Sequence, residues 1–272
     1  MNNNILPMYI LSMVVLLVCP SLVTAAPEWT HQEQSTWGAL EDSTQTVTPL
    51  MYPYAECNIG SHQSPVDLAS IALNRQSDSL RIGYDKDVSP DFFNSGHAAQ
   101  VNLPENYPGK FFVNRDAFPL IQFHFHVPAE HVIGTQTFPA ELHFVHIRPD
   151  GKMAVLAVLI EVKGDLVNPE VQKIIDNMPH TIATHNTSTN VQLRLRELLP
   201  TNKARFFSYA GSLSTPPCSE GVNWYVLSDP LTISANQLAE LMDFSQYLEG
   251  IGLPNNRMPQ NLNGRLVMLN AH

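Results

Sequence analysis

Short apolar or alternating runs, separated by turn residues such as Pro149-Asp150-Gly151, dominate this sequence and constrain the chain to a mostly β fold. Side chains alternate between the two faces of a strand, so runs of this length and pattern favour strands over helices. The turn residues between the runs favour antiparallel neighbours. The best predicted strands span residues 99–103, 110–113, 120–127, 140–147, 153–162 and 224–227.

Helices are predicted at two places. Residues 168–177 begin with Pro169 in the first turn, where its missing N–H has no intrahelical partner to lose. Residues 234–248 begin with Ser234 and Gln237, a pair that forms a capping box, and carry an apolar stripe along one side. We expect both helices to cover the surface of the sheet.

Residues 26–272 are predicted to form one domain, because no Ser/Gly-rich or charged linker divides them. The chain carries 15 Lys and Arg against 25 Asp and Glu, a formal net charge of −10. This charge argues against nucleic acid or an anionic membrane surface as a partner.

Residues 1–25 are predicted to be a signal peptide. An apolar run over residues 9–18 is too short to span a membrane, and Val23-Thr24-Ala25-Ala26 suits cleavage after Ala25. We therefore expect a periplasmic or secreted protein. Of the three cysteines, Cys57 and Cys218 remain after cleavage, and an even pair in an exported chain predicts a disulfide. The alternative is two buried free thiols.

A pair of histidines stands in the predicted strand 120–127, with one residue between them. His124 and His126 share a face of that strand, because successive side chains alternate. A neighbouring strand through residues 140–147 brings His143 to the same place. Three neutral imidazoles with a fourth position open for water are typical of catalytic zinc, whereas structural zinc sites are closed. The alternative is a set of partly buried histidines with no metal.

Acidic and amide residues surround the three histidines. Gln122 and Glu141 each precede a candidate ligand by two residues, so each is placed to hold the other ring nitrogen of its histidine. Glu130 lies close by in sequence. It either binds metal itself or orients a hydroxyl, and the sequence alone does not choose between these roles.

Six motifs resemble the α-class carbonic anhydrases, most closely their exported bacterial members, over nearly the whole mature chain. Their order and spacing also fit that family. The motifs are Gln63-Ser64-Pro65-Val66-Asp67-Leu68, Asn94-Ser95-Gly96-His97, Gln122-Phe123-His124-Phe125-His126, Ala129-Glu130-His131, Ala140-Glu141-Leu142-His143-Phe144-Val145-His146 and Tyr209-Ala210-Gly211-Ser212-Leu213-Ser214-Thr215-Pro216-Pro217-Cys218.

The resemblance implies a large, mostly antiparallel twisted β-sheet with a few short surface helices. It also implies one Zn2+ per chain, held by His124, His126 and His143 with Gln122 and Glu141 behind them. The implied reaction is reversible hydration of CO2 to bicarbonate and a proton, through attack of zinc-bound hydroxide on CO2. Inhibitory anions and sulfonamides are expected to bind, and a homodimer is possible because exported relatives are often dimers.

By the same resemblance, three residues assist the reaction. Ser214 stands where the family has a threonine that orients the hydroxide, and Glu130 accepts the proton of that hydroxyl. Serine keeps the hydroxyl but lacks the methyl group that restrains its rotamer. His97 is at the position of the proton shuttle, a role that suits a side chain with an ordinary pKa near 6.5. His31 stands where a tyrosine usually assists the water network.

The resemblance also implies an apolar pocket for CO2. The residues at the corresponding positions are Val145, Val155, Leu213, Thr215, Val222 and Trp224.

Two other functions compete with this interpretation. A cupin shares the pattern His124-x-His126-x-x-x-Glu130 and uses the glutamate as a ligand for iron or manganese, but its flanking glycines are replaced by Phe118 and Thr137. An acatalytic binding domain with the same fold usually loses a ligand histidine, whereas all three are present here.

Overall fold

A computed structural model describes residues 27–48, 50–73, 78–187, 190–248 and 251–271. The predicted signal peptide lies outside these residues. Within them, no helix is long and apolar enough to span a membrane.

One large sheet forms the body of the molecule and contains twelve strands. In chain order its strands are β1 (Ile71–Leu73), β2 (Leu80–Gly83), β3 (Asp91–Asn94), β4 (Ala99–Asn102), β5 (Lys110–Val113), β6 (Asp116–His126), β7 (Ala140–Ile147), β8 (Met153–Val162), β9 (Thr184–Asn186), β10 (Arg205–Ser212), β11 (Glu220–Ile233) and β14 (Val267–Ala271). A separate hairpin pairs β12 (Gln246–Leu248) with β13 (Ile251–Leu253).

The strands run in the order β1-β14-β10-β11-β8-β7-β6-β4-β3-β9, with β5 also paired to β6 and β2 to β5. All pairs within this sheet are antiparallel except β1–β14 and β8–β11. The predicted mostly β, mostly antiparallel fold is therefore confirmed. All six predicted strands are present, although β6 and β11 extend well beyond their predicted bounds.

Among the residues that the structure describes, three short α-helices lie outside the sheet: α1 (Glu56–Ile59), α2 (Pro169–Asn177) and α3 (Ala235–Asp243). Single 3-10 turns cover His31–Glu33, Trp37–Ala39 and Leu195–Leu198. The Asn168 side chain caps α2 by accepting from two backbone amides, and Ser234 and Gln237 form the predicted capping box of α3.

The predicted extension of α3 to residue 248 is wrong. The backbone amide and the hydroxyl of Ser245 both donate to the Met242 carbonyl, which closes the last turn. A serine that satisfies a terminal carbonyl in this way competes with continuation of the helix. The chain then turns into β12.

The two faces of β6 meet different surroundings. Phe123 and Phe125 are fully buried in the larger hydrophobic cluster, which also takes Leu142 and Phe144 from β7. A second cluster, with Val145, Val155 and Trp224, packs on the opposite face of the sheet. Because side chains alternate, His124 and His126 are directed to this second face. The aromatic core on one side thus fixes where the histidines point on the other.

Candidate metal centre

Three histidine rings meet on the second face of the sheet. His124 on β6 is directly opposite His143 on β7 in the antiparallel register, and His126 follows two residues along β6. The candidate ligand nitrogens of all three lie within 4.8 Å of one another. The predicted strand pairing therefore brings the predicted ligands together.

The proton positions on His124 and His126 follow from their partners. Nδ1 of His126 lies 2.7 Å from the carbonyl oxygen of Asn255, which can only accept, so Nδ1 carries the proton. Nδ1 of His124 lies 2.9 Å from Oε1 of Gln122 and donates to it in the same way. The two Nε2 atoms, 3.1 Å apart, are then both unprotonated in the neutral rings.

His143 uses the opposite tautomer. Its Nε2 lies 2.9 Å from Oε1 of Glu141, so Nε2 donates to the carboxylate and Nδ1 keeps a free lone pair. Three lone pairs thus converge on one point, an arrangement that suits a bound cation. Two nitrogens bound to a tetrahedral zinc at about 2.0–2.1 Å are about 3.3 Å apart. The 3.1 Å separation of the two Nε2 atoms fits such an ion.

Burial lowers the pKa of His126 and so favours its neutral, metal-binding form, and the effect is larger for His124. Burial lowers the pKa of His124 well below the ordinary value, and His126 and His143 lower it further. Burial alone would raise the pKa of the Glu141 carboxyl, but His131 and His143 outweigh it and hold that pKa well below its usual range. Glu141 is therefore a carboxylate that holds His143.

Glu141 also anchors a buried hydrogen-bond chain behind the centre. Its Oε1 lies 2.6 Å from Nδ1 of His131, whose Nε2 lies 2.7 Å from the Tyr209 hydroxyl. That hydroxyl donates to Oγ of Ser64 at 3.1 Å. A second group of possible ligands consists of His131, Glu141 and His143, whose ligand atoms also lie within 4.8 Å of one another. Hydrogen bonds already join these atoms to each other.

Glu130 is fully buried beside the ligands. Its Oε1 accepts from the backbone amide of Arg257 at 2.8 Å and lies 3.5 Å from Nδ1 of His126, the nitrogen that faces away from the other ligands. Burial would raise the pKa of Glu130, but His126, His143 and the Ser214 hydroxyl together lower it. Its Oε2 lies 4.0 Å from Nδ1 of His143, so Glu130 borders the converging nitrogens as well as Ser214.

The space in front of the histidines has an apolar side and a polar side. The apolar cavity has a volume of about 270 Å³, and its lining includes Val145, Val155, Leu213, Ser214, Thr215 and Trp224. Val222, the remaining predicted pocket residue, is buried in the same hydrophobic cluster but is not part of this lining. The polar cavity, of about 180 Å³, is lined by residues that include His31, His97, Gln100 and Gln122.

His97 lies at the wall of the polar cavity. Its ring stacks on Trp29 with centroids 3.9 Å apart, and burial lowers its pKa below the ordinary value. The His31 ring is 2% exposed and lies 6.3 Å from that of His126 and 6.4 Å from that of His97. His31 therefore stands between the metal centre and His97.

The predicted disulfide is present between Cys57 and Cys218. Two buried side chains, those of Arg257 and Gln63, hold the main chain at the two cysteines, close to the Ser214 loop. Arg257 donates to the Cys57 carbonyl and to Oε1 of Gln63, both at 2.8 Å. Gln63 in turn donates to the Cys218 carbonyl at 3.0 Å.

Sequence reasoning missed two contributions from the C-terminal segment. The Asn255 carbonyl holds His126, and the Arg257 amide holds Glu130. Both are main-chain groups, so residue type carries no direct signal for them.

Comparison with known proteins agrees with this geometry. Residues 48–271 match the model of the eukaryotic-type carbonic anhydrase family. A carbonic anhydrase from Neisseria gonorrhoeae is 35% identical over 259 residues, which cover 95% of this chain and 96% of that protein. The chain therefore belongs to the eukaryotic-type, or α-class, carbonic anhydrase family.

Solved structures share the fold. The α-carbonic anhydrase from Thermovibrio ammonificans, in complex with the inhibitor sulfanilamide, matches with a TM-score of 0.75 and 32% identity over 90% of this chain and all of that one. Dioscorin complexed with ascorbate matches with a TM-score of 0.74 and 26% identity over 88% of this chain and 94% of that one. One fold thus accommodates different ligands, and the activity must be argued from the site.

Proposed function

We propose that this protein is a zinc-dependent carbonic anhydrase that converts CO2 and water to bicarbonate and a proton, and the reverse. The observation that carries the proposal is the convergence of three unprotonated nitrogens, from His124, His126 and His143, on one point beside an apolar cavity. These residues would hold the ion, with Gln122, the Asn255 carbonyl and Glu141 fixing their tautomers. When bound, zinc acts as a Lewis acid that lowers the pKa of water to about 7, a value established for carbonic anhydrases.

Ser214 and Glu130 orient the nucleophile. Oε2 of Glu130 is buried with no hydrogen-bond partner among the described residues and can only accept, so we assign to it the proton of the Ser214 hydroxyl, whose lone pairs are then kept for the nucleophile. A hydrogen bond in that direction turns the attacking lone pair of the nucleophile toward the substrate. Glu130 is thereby assigned to the relay and not to the metal.

The apolar cavity holds CO2 next to the nucleophile. Val145, Val155, Leu213 and Trp224 offer a dry wall to a linear apolar molecule, with Thr215 at the edge and Val222 packed beneath. Bicarbonate carries a charge and is poorly matched to the same wall. The wall therefore favours substrate entry and product release in the hydration direction.

His97 carries the released proton to the solvent. It lies on the polar side of the centre, where water has room to bridge to it. Its pKa, lowered by burial, favours release of the proton to buffer. The proposed CO2 cavity and the proposed proton cavity meet at Gln122, His124 and Thr215, which line both.

We further propose that residues 1–25 are a signal peptide and that the protein is periplasmic or secreted. The disulfide between Cys57 and Cys218 supports this location, because such bonds persist in oxidising compartments. Cell fractionation with N-terminal sequencing tests it, and a protein found in the cytoplasm with its N-terminus intact would overturn it. Size-exclusion chromatography with light scattering distinguishes a monomer from a homodimer.

Stopped-flow measurement of CO2 hydration tests the proposed activity. Residues 26–272 are compared as purified, after removal of metal by a chelator, and after addition of Zn2+ or Fe2+. We expect fast hydration that is lost with the metal and restored by zinc. A folded, zinc-loaded protein with no hydration above buffer would favour the acatalytic binding domain, and hydration that returned with iron alone would overturn zinc as the working metal.

A further inference from the structure

A chain of side chains runs from the surface of the sheet to the polar cavity. Oδ2 of Asp91 accepts from Nδ2 of Asn102 at 2.9 Å, and Oδ1 of Asn102 accepts from Nε2 of Gln100 at 2.6 Å. Gln100 lies in the cavity lining and is paired with His124 in the register of β4 and β6. Asp91, on β3, is paired with Asn102 on β4. The chain therefore connects the third strand to the wall of the metal site.

The direction of every hydrogen bond in this chain is set by Asp91. A carboxylate has no proton to give, so Asn102 must present its NH2 group to Asp91. The carbonyl of Asn102 then faces Gln100 and takes its NH2 group. The remaining polar atom of Gln100, its carbonyl oxygen Oε1, is left for the cavity. His185 contacts Asp91 from the outer side at 2.8 Å and leaves this direction unchanged.

Gln122, on the same wall, has the opposite orientation. Its carbonyl oxygen accepts from Nδ1 of His124, so its NH2 group is left for the cavity. Gln122 is paired with Asn102, which makes it the diagonal neighbour of Gln100 on the same face. The wall thus offers an acceptor from Gln100 and a donor from Gln122. Neither amide group can flip, because a hydrogen bond holds its other end.

We infer that Asp91 and Asn102 are specificity-determining residues of this site, because they fix the carbonyl of Gln100 toward the cavity beside the NH2 group of Gln122. The ligand class that this pair takes is a neutral group with adjacent donor and acceptor, such as a carboxamide. A carboxylate at the same position faces the Gln100 carbonyl with no proton to offer. The inference extends the proposed function, since the probes are held by the metal centre.

The test uses benzenesulfonamides that carry either a carboxamide or a carboxylate at the meta or para position. We expect the full-length mature protein to prefer the carboxamide at one of these positions. In Asn102→Ala, which cuts the chain without a change of charge, that preference falls about five- to tenfold, the equivalent of one neutral hydrogen bond. The exchange Asp91→Asn with Asn102→Asp keeps an acceptor facing Gln100 and restores the preference. His185→Ala is the matched control and leaves it unchanged.

Neutron diffraction from deuterated crystals distinguishes the oxygen from the nitrogen of the Gln100 amide and so gives its orientation directly. A carbonyl toward the cavity is expected in the parent protein, and an NH2 group there would overturn the inference. The inference would also be overturned if the ratio of the affinities for the carboxamide and the carboxylate were the same in Asn102→Ala and the parent at both ring positions. Unsubstituted benzenesulfonamide separates the two proposals: if it fails to bind zinc-loaded protein, the proposed function fails, whereas binding with unaltered ratios rejects the role of Asp91 and Asn102 alone.

Discussion

His97 lies flat against Trp29, with ring planes at 6° and Nδ1 buried. The stack holds the imidazole at the wall of the polar cavity and removes part of it from water, which lowers its pKa. The residue proposed as the proton shuttle therefore occupies a partly dry, fixed position. Its contribution to turnover is open to direct measurement.

Replacement of His97 by alanine is expected to slow hydration about tenfold or more in weak buffer, because proton export loses its carrier. Imidazole added to the solution should restore the rate. Stopped-flow traces at several buffer concentrations give the measurement. Equal rates for the variant and the parent in weak buffer would exclude His97 as the shuttle.

Ser214→Thr is expected to change the hydration rate or the affinity for inhibitory anions by less than about tenfold, because the hydroxyl stays and only its rotamer freedom changes. Ser214→Ala removes the hydroxyl and should cost about a hundredfold in rate. Both variants are measured by stopped flow with anion inhibition. If threonine alters neither quantity, the rotamer argument is wrong.

Glu141→Gln should weaken zinc binding about 10- to 100-fold, the usual cost of losing a carboxylate that holds a ligating histidine. Competition with a chromogenic chelator measures the affinity without reference to activity. Glu161→Gln, at the partly exposed end of β8, serves as the control and should bind zinc like the parent. An unchanged affinity in Glu141→Gln would mean that the fold alone orients His143.

Loss of the disulfide is expected to lower the free energy of unfolding by up to about 5 kcal/mol, because the bond closes a span of 161 residues. Urea unfolding of the double variant Cys57→Ser and Cys218→Ser, beside the parent with and without a dithiol reductant, gives the value. Identical midpoints in all three samples would show that the bond contributes nothing to stability.

Acid should destabilise the protein partly through His146. Burial lowers the pKa of His146 to about 3 in the folded state, where its ring contacts the Tyr84 hydroxyl and the Ala154 carbonyl. The unfolded chain has the ordinary value near 6.5, so it binds the proton first. The contribution is therefore complete above about pH 6.5 and is lost as the pH falls toward 3, at up to about 1.4 kcal/mol per pH unit.

Urea unfolding of zinc-free protein between about pH 7 and 4 measures this slope. In His146→Gln the free energy of unfolding should depend less steeply on pH, by up to the slope of one bound proton, because glutamine keeps polar contacts but does not titrate. The same slope in both proteins would contradict the assignment.

The parts of the molecule that could be predicted from the sequence are those that depend on neighbouring residues alone. The bounds of β7 and β8 were predicted to the residue, since both are uninterrupted runs between clear turns. The ligand histidines were predictable because a strand repeats every two residues. In contrast, the end of α3 depends on Ser245, and the parallel pairing of β8 with β11 joins segments far apart in sequence, so neither has a local signal. The same holds for the Asn255 carbonyl that fixes His126.

The dependence of His126 on Asn255 and of Glu130 on Arg257 has a consequence for biosynthesis. A nascent chain cannot complete the metal centre until its C-terminal segment has left the ribosome, however early the central strands pair. Segments from both ends, joined through Arg257 and Cys57, must dock before the site is assembled. We therefore expect capture of the proposed metal to be a late event in maturation and, for a chain exported unfolded, to take place at its destination.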